Sequence, residues 1–253
     1  MARRGLVLFF TLGVSLQDWA KAGFLTREAA YFRRLAEHVG PVTFITYGGD
    51  EDLVLAEAIH PIRLLNNPER LSPEQFLRRA PALYREVLTE VAIARSNQIK
   101  GSEAVLAARI LAGAFPVIRG GYLLSRFTTG QRPSLRLRFG LWRYEARLFH
   151  RAGHLFLPTA EDAASARRWY ALPPRRLTVL PNFIDTDHFR PFPEIAPQPG
   201  LIGFVGRFAP QKNLEALIEA AAGMKDVRLR LIGDGPLREP LARLAAEKRI
   251  QIE

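Results

Sequence analysis

The feature that most constrains the fold of this chain is an alternation of short apolar runs with segments of helical periodicity. The short runs are rich in β-branched and other apolar residues, and the segments between them repeat an apolar residue every three or four positions. This alternation is typical of α/β proteins, in which helices cover both faces of a parallel sheet. The pattern begins near Leu6 and continues to the last residues of the chain.

The first 190 residues carry the longest part of this alternation. Its apolar runs predict strands at Leu6–Leu12, Val42–Tyr47, Ile62–Leu65, Val91–Ala94, Pro116–Arg119, Leu155–Leu157 and Thr178–Leu180. The helical patterns between them include Thr26–His38, Gln75–Leu88, Ser102–Leu111, Leu135–His150 and Ala160–Tyr170. We therefore expect residues 1–190 to form a complete N-terminal domain of Rossmann-like type with a parallel sheet.

A proline-rich segment follows and predicts a domain boundary. Phe189–Gly200 contains four prolines without periodicity, as a stiff linker does, and we assign residues 191–200 to it. The α/β pattern then resumes, with strands predicted at Leu201–Val205 and Arg228–Ile232 and helices at Leu214–Ala222 and Leu237–Lys248. The residues Ile250–Glu253 have the pattern of the start of a third strand. Residues 201–253 are thus expected to form an incomplete second Rossmann-like domain.

Composition excludes several kinds of site. The chain has no cysteine, which excludes disulfides, thiolate metal sites and a cysteine nucleophile. Its five histidines are scattered, so we expect no metal site. The apolar run after the basic N-terminus fits a buried first strand better than a secretion signal, because no small-residue cleavage site precedes Gln17. No run reaches the ~20 apolar residues that a bilayer span needs, so we expect a soluble or peripheral protein.

The net charge of +11 is unevenly distributed. Residues 1–190 contain 27 Lys/Arg and 17 Asp/Glu, whereas residues 191–253 contain nine and eight. Within the first part, much of the positive charge lies in the stretch from 126 to 151, in which Glu145 is the only acidic residue. The arginines of this stretch are Arg126, Arg132, Arg136, Arg138, Arg143, Arg147 and Arg151. Bulky apolar residues alternate with these arginines, which suits either an anionic membrane surface or a helix that packs in the core. A nucleic-acid surface would explain the charge but not the loop described next, and we expect no nucleic-acid partner.

The strongest chemical signal is a cationic loop between a buried strand and a helix. The strand at Leu201–Val205 ends in Gly206 and Arg207, and Lys212 stands just before the helical pattern. In open α/β sheets ligands bind beyond the carboxyl ends of the strands. Glycine allows close backbone approach, arginine offers a planar set of donors, and lysine offers a mobile charge near a helix N-terminus. These groups suit a diphosphate, although two solvated cations at a turn would show the same spacing.

This loop resembles the donor-phosphate loop of glycosyltransferase family 4, in which Gly-Arg is followed by lysine five positions after the arginine. Leu180–Asp185, together with Phe189, resembles the Pro-Asn-Gly-Val-Asp segment of that family. The turn that contains Gly233 and Gly235 is similar to its Gly-x-Gly turn. The three motifs occur in the family's order, and the resemblance is most secure over residues 154–248.

The resemblance implies a retaining, sugar-nucleotide-dependent enzyme of the two-domain GT-B type. Arg207 and Lys212 would be the catalytic cations that stabilise the leaving diphosphate, with Gly206, Gly233 and Gly235 also at the donor. The donor would be a substrate, and the family implies neither a cofactor nor a metal. The family's glutamate segment, which holds the sugar and ribose, would lie beyond residue 253, and we expect the present chain alone to be inactive.

The resemblance assigns further residues in the first domain. The segment Lys21–Glu28 lies where the family has a glycine-containing loop near the donor phosphates. Gly23 is therefore a donor-binding candidate. The alternative is that the same residues only start a helix. Asn97 and Gln98, and then Arg119 and Tyr122, follow two strands and are acceptor-side candidates. Many relatives have histidine near these positions, and this sequence does not.

We therefore expect a glycosyltransferase that transfers a sugar from a nucleotide-diphosphate sugar to a glycan or lipid-linked acceptor, in cell-surface polysaccharide or lipopolysaccharide synthesis. We expect it in the cytoplasm, with the stretch 126–151 attaching it to the inner face of the cytoplasmic membrane. The alternatives are a non-catalytic GT-B remnant or binding protein without a complete donor site, and a GT-B sugar-nucleotide epimerase. An epimerase would need acid/base residues that the sequence does not place.

Overall fold

The first sheet of the protein is a seven-stranded parallel sheet. The computed structural model describes residues 4–126 and 134–250. These residues form two compact units: the first unit contains residues 4–126 and 134–182, and the second contains residues 183–250. The strands of the first unit are β1 (Leu6–Phe9), β2 (Val42–Ile45), β3 (Arg63–Leu65), β4 (Ile93–Ser96), β5 (Phe115–Arg119), β6 (His154–Leu157) and β7 (Leu177–Val179). Their order is β3-β2-β1-β4-β5-β6-β7, so successive strands are added on one side of β1 up to β3 and on its other side from β4 onward.

Helices cover both faces of this sheet. They are α1 (Leu16–Lys21), α2 (Leu25–Val39), α3 (Ala56–Ile59), α4 (Pro73–Leu83), α5 (Arg85–Glu90), α6 (Glu103–Ala112), α7 (Leu135–Arg151) and α8 (Ala160–Tyr170). Side chains of β1 alternate between the faces: Val7 and Phe9 pack with α4 and α6, whereas Leu6 and Leu8 pack with α1 and α2. This alternation follows from the two-residue period of a strand and explains why β1 is apolar throughout.

The second unit contains two parallel strands within its described residues. They are β8 (Leu201–Val205) and β9 (Arg228–Ile232), followed by helices α9 (Leu214–Ala222) and α10 (Arg238–Glu247), respectively. Phe208, Ile218, Leu229 and Leu241 form the centre of their small core. The further strand predicted at Ile250–Glu253 falls largely outside the described residues.

Helices α1, α4 and α5 differ from the sequence predictions. The single helix predicted at Gln75–Leu88 is two helices, because α4 ends at Leu83 and α5 begins at Arg85. Pro81 lies inside α4 and has no N–H to continue the hydrogen-bond ladder, which favours a break shortly after it. The short helix α1, with a capping box made by Ser15 and Asp18, was not predicted.

The segment between the last strand of the first unit and β8 has no helix or strand. The first unit ends at Asn182, whereas the sequence places the first boundary at residue 190 and the linker at 191–200. None of the helices in the described parts of the chain is both long and apolar enough to cross a membrane.

Candidate active site

The glycine loops of the second unit meet at the carboxyl edge of its sheet. Val205 is in register with Ile232, so the turns after β8 and β9 begin side by side. The N–H of Gly206 donates to the carbonyl oxygen of Ile232 at 2.9 Å, and the N–H of Phe208 donates to that of Asp234 at 2.8 Å. Backbone hydrogen bonds therefore join the two turns.

Close approach explains two of the predicted glycines. A Cβ on Gly233 would overlap the carbonyl oxygen of Gly206, and one on Gly235 would overlap that of Phe208. The φ angles of Gly233 and Gly235 are +152° and +155°, values that L side chains rarely adopt. The two glycines are thus required for the geometry of the loop.

Arg207 and Lys212 both have exposed side chains, although buried residues lie between them. Phe208 and Ala209 are 6% and 7% exposed and hold the loop to the core. A single 3-10 turn, Pro210–Lys212, then leads into α9. The core thus fixes the middle of the loop and leaves its two cations in solvent.

The N-terminus of α9 directly follows Lys212. Asn213 is its N-cap, with φ +50°, and its side chain makes no capping hydrogen bond. The first N–H groups of a helix have no acceptor within the helix, and they carry the positive end of its dipole. Backbone donors and two cations consequently belong to one short loop, which is an arrangement suited to an anion.

A carboxylate also lies in the neighbouring turn. Asp234 accepts from the N–H of Gly235 at 2.8 Å and forms an exposed ion pair with Arg238 at 3.6 Å. Its charge is thus shared with a cation of α10. Arg207 and Lys212 form no ion pair that the structure shows in the described residues.

The acceptor-side candidates of the first unit lie at the carboxyl ends of β4 and β5. Arg119 donates from Nη1 to the carbonyl oxygen of Asn97 at 3.3 Å, and Gln98 accepts the N–H of Gly121 at 2.7 Å through Oε1. These bonds bring Asn97, Gln98 and Arg119 together. Tyr122 follows on the same loop and is 41% exposed.

Arg119 also bonds a residue of the family-like Pro-Asn segment. Its Nη2 donates to Oδ1 of Asn182 at 2.6 Å, which joins the end of β5 to the last residue of the first unit. Burial lowers the pKa of Arg119, and the nearby cation of Arg95 lowers it further. The two arginines therefore lie close enough to repel each other.

Sequence reasoning missed Arg95. This residue of β4 is only 6% exposed, and its Nε has no hydrogen-bond acceptor among the described residues. Its Nη1 donates to Oη of Tyr31 at 3.2 Å, and its guanidinium lies 5.4 Å from the ring centre of Phe32 and 6.0 Å from that of Phe156. The predicted strand ended at Ala94 and left Arg95 outside it, whereas β4 continues to Ser96 and buries this cation, which then needs a compensating partner.

Gly23 forms the turn between α1 and α2. Its φ is +73°, in the left-handed region, and no atom lies within 4 Å of where its Cβ would be. Its N–H donates to the carbonyl oxygen of Ala20 at 3.1 Å, and α2 then begins at Leu25, one residue before the predicted Thr26. The glycine has a conformational reason to be there, and its contact with a donor stays a prediction.

Helix α7, which carries most of the basic stretch from 126 to 151, has two halves with different surroundings. Arg132 of this stretch lies outside the described residues. The C-terminal half of α7 packs in the core through Leu148 and Phe149. Glu145, also buried, accepts the N–H groups of Leu124 and Ser125 and the hydroxyl of Tyr170. This half follows the core-helix interpretation.

The N-terminal half of α7 has apolar side chains in solvent. Leu135, Leu137 and Phe139 are 80%, 54% and 57% exposed, and Arg136 and Arg138 between them are also exposed. Beside them, a groove of about 890 Å³ runs between α7 and α8. Its lining includes Leu135, Arg138, Phe139, Trp142, Arg168 and Trp169. This half is cationic and partly apolar, so it has the chemistry to contact an anionic surface that is partly apolar.

The described residues contain no group of three or more His, Asp or Glu side chains that could hold a metal ion. The charges at both strand edges are instead mainly cationic.

Solved structures with this fold include several glycosyltransferases. A structure of HepE from Anabaena, in complex with UDP and glucose, is 16% identical with a TM-score of 0.64, and the match covers 98% of this chain and 68% of that one. Sucrose-phosphate synthase from Thermosynechococcus elongatus is 15% identical with a TM-score of 0.68, over 99% and 70% of the two chains. The lipopolysaccharide outer core galactosyltransferase WaaB is 14% identical with a TM-score of 0.64, over 98% and 67%. These similarities identify the fold as GT-B.

Family comparisons agree with this fold. No curated protein sequence matches the chain. Residues 185–253 match the family Glycosyl transferases group 1, and residues 30–188 match Glycosyltransferase Family 4. The second of these matches spans more than half of the sequence and contains the strand edge with Asn97 and Arg119. The protein is therefore a glycosyltransferase and belongs to Glycosyltransferase Family 4.

Proposed function

We propose that the protein transfers a sugar, with retention of anomeric configuration, from a nucleotide-diphosphate sugar to a glycan or lipid-linked acceptor. The observation that carries this proposal is the loop Gly206–Lys212. It combines two exposed cations with the N-terminus of α9, which has no side-chain cap. We assign the diphosphate of the donor to this loop.

The reaction explains what the two cations would do. As the bond between the anomeric carbon and the diphosphate breaks, negative charge grows on the leaving oxygens. Donors that are already in position stabilise this charge without reorganising. Arg207 offers a planar fork of N–H groups and Lys212 a point charge, so the two can contact different phosphate oxygens. No metal is needed in this proposal, because the cations supply the positive charge.

The comparisons support a sugar nucleotide as donor. HepE was solved with UDP and glucose, and WaaB is named as a galactosyltransferase of the lipopolysaccharide outer core. We infer a role in cell-surface polysaccharide or lipopolysaccharide synthesis for the present protein by analogy with WaaB. The acceptor would bind at the strand edge that carries Asn97, Gln98, Arg119 and Tyr122.

The exposed half of α7 supports an acceptor at a membrane. Leu135, Leu137 and Phe139 could enter the interface while Arg136 and Arg138 contact anionic headgroups. Such attachment would place the protein on the cytoplasmic face of the membrane and would bring the site to a lipid-linked substrate.

A screen of sugar nucleotides tests the proposal. We expect at least one donor to raise the midpoint of thermal unfolding, because donor binding stabilises the folded state. In a version of the protein that also carries the family's glutamate segment, Arg207→Ala should lower turnover about a hundred- to a thousandfold, as removal of one such donor does in other enzymes. It should change the unfolding midpoint little, since Arg207 is exposed. Equal losses of turnover and stability would contradict a catalytic role.

A further inference from the structure

Three arginines gather around the carboxyl ends of β4 and β5 in the first unit. Arg95 and Arg119 lie on the same face of the sheet, because Arg95 is in register with Val117 and Arg119 follows two residues later. The charges of Arg27 and Glu28 on α2 both act on Arg119. These four side chains, Arg27, Glu28, Arg95 and Arg119, are called the arginine cluster below.

The cluster has an excess of positive charge. Among the described residues whose charges act on Arg119, Glu28 is the only carboxylate. Glu28 already forms an ion pair with Arg27 at 2.6 Å. Three cations against one carboxylate leave two positive charges in excess. Buried or half-buried arginines are normally paired with an acid, so this excess is unusual.

The hydrogen bonds of Arg95 and Arg119 do not neutralise them. Arg119 donates to neutral oxygens of Asn97 and Asn182. Arg95 donates to the hydroxyl of Tyr31, and its buried Nε lacks an acceptor among the described residues. Aromatic rings around Arg95 supply a weak attraction but no hydrogen-bond acceptor. A bound anion would compensate the charge of both arginines and accept hydrogen bonds from Arg119.

We propose that the arginine cluster binds a phosphoryl group of the sugar acceptor. This inference rests on the proposed function, in which the acceptor lies at this strand edge. A phosphate monoester carries up to two negative charges, which matches the excess of the cluster, whereas a carboxylate carries one. Arg119 would contact the phosphate directly, and Arg95 beneath it would supply charge. The acceptor class is therefore a sugar or a lipid-linked glycan that carries a phosphate monoester.

The test uses the complete chain with Arg207→Gln and Lys212→Gln, so that the donor loop cannot bind the probe. Inorganic phosphate is titrated while the guanidinium Nε–H signals of arginine are followed by ¹H–¹⁵N NMR, with the signal of Arg119 assigned from its loss in Arg119→Gln. We expect saturable shifts of the Arg95 and Arg119 signals. Arg119→Gln should weaken phosphate binding at least tenfold, because a charge-assisted pair of hydrogen bonds is lost.

Controls separate this site from surface charge and from misfolding. Arg79→Gln removes an exposed cation of α4 and should leave phosphate binding unchanged. Arg119→Lys keeps the charge but loses the planar fork, so its affinity should fall between those of arginine and glutamine. Each variant is compared only if its backbone ¹H–¹⁵N spectrum remains that of the folded protein, and the lysine variant decides the question if the glutamine variant does not fold.

Competition distinguishes the sources of the phosphoryl group. A hexose 6-phosphate represents a soluble acceptor, and a short-chain phosphatidic acid represents a lipid. Displacement of phosphate by either supports the subsite and identifies the source. Displacement by neither, acetate binding as tightly as phosphate, or phosphate affinity that is indifferent to Arg119→Gln would overturn the inference. Binding of UDP, GDP or ADP to the Arg119→Gln chain with Arg207 and Lys212 intact tests the donor site separately, so the two failures can be told apart.

Discussion

Gly233 and Gly206 approach so closely that a Cβ on Gly233 would overlap the carbonyl oxygen of Gly206. The N–H of Gly206 is itself bonded to the carbonyl oxygen of Ile232, so neither backbone can move without breaking the junction of the two turns. The same junction fixes the start of the loop that carries Arg207. Its stability is therefore a condition for the proposed donor site.

Gly233→Ala should destabilise the second unit by about 1–3 kcal/mol, because the added methyl group is forced against backbone and the residue has a positive φ. Hydrogen exchange of residues 201–232, followed by mass spectrometry, measures this local opening. Gly203→Ala in β8 is the matched control, since no atom lies within 4 Å of its Cβ position. Equal exchange in the two variants would mean that the two turns are not closely joined.

His154 should make the stability of the first unit depend on pH. Burial lowers the pKa of this imidazole below its ordinary value, and the cation of Arg176 adds to the effect. The unfolded chain therefore takes up the proton first, so the full stability is present above the unfolded pKa of about 6.5 and is lost as the pH falls through the folded pKa. Urea unfolding at a series of pH values should show a shallower fall for His154→Gln than for the unchanged protein.

The exposed His150 provides the control for that series. His150→Gln should follow the unchanged protein, because this residue lies on the outer side of α7. If His154→Gln and His150→Gln give the same pH profile, the burial of His154 beside Thr178 has no thermodynamic effect.

The exposed half of α7 should bind anionic vesicles. Each basic residue near such a surface contributes about 1 kcal/mol, so the double change Arg136→Gln and Arg138→Gln should weaken binding by about 2 kcal/mol, or roughly thirtyfold. Binding should also weaken as salt rises, since surface charges are screened. Co-sedimentation with anionic and with neutral vesicles measures both effects.

A charge-matched control addresses the basic nature of the whole protein. Arg79→Gln and Arg85→Gln remove two exposed cations from α4 and α5 and should change vesicle binding much less. Equal losses in the two double variants would point to general charge, and indifference to lipid charge would favour the interpretation of α7 as a plain core helix.

The alternating pattern of the sequence predicted the strands and most helices, because apolar periodicity directly reflects burial on a sheet face. It did not predict α1, whose six residues are too few to show periodicity, although the Ser15–Asp18 capping box was a usable signal. It also joined α4 and α5, because the apolar period continues through Tyr84 although the helix does not.

The site was only partly predictable. Arg207 and Lys212 could be named because a loop after a strand is a local feature. The pairing of Arg95 with Tyr31 spans 64 positions and depends on how α2 packs on the sheet, so no local pattern reports it. The bond from Arg119 to Asn182 is non-local for the same reason.

Calorimetric titration of the chain with UDP, GDP and ADP tests the central assignment most directly. At least one nucleoside diphosphate should bind, and Arg207→Gln and Lys212→Gln should each weaken it by about 1.5–3 kcal/mol, or roughly ten- to a hundredfold, because a hydrogen bond to a charged group is lost. Arg243→Gln, which removes an exposed cation from α10 in the same unit, should leave the affinity unchanged. Absence of binding by all three nucleotides, or equal affinity in Arg207→Gln and Arg243→Gln, would contradict the assignment of the diphosphate to the loop Gly206–Lys212.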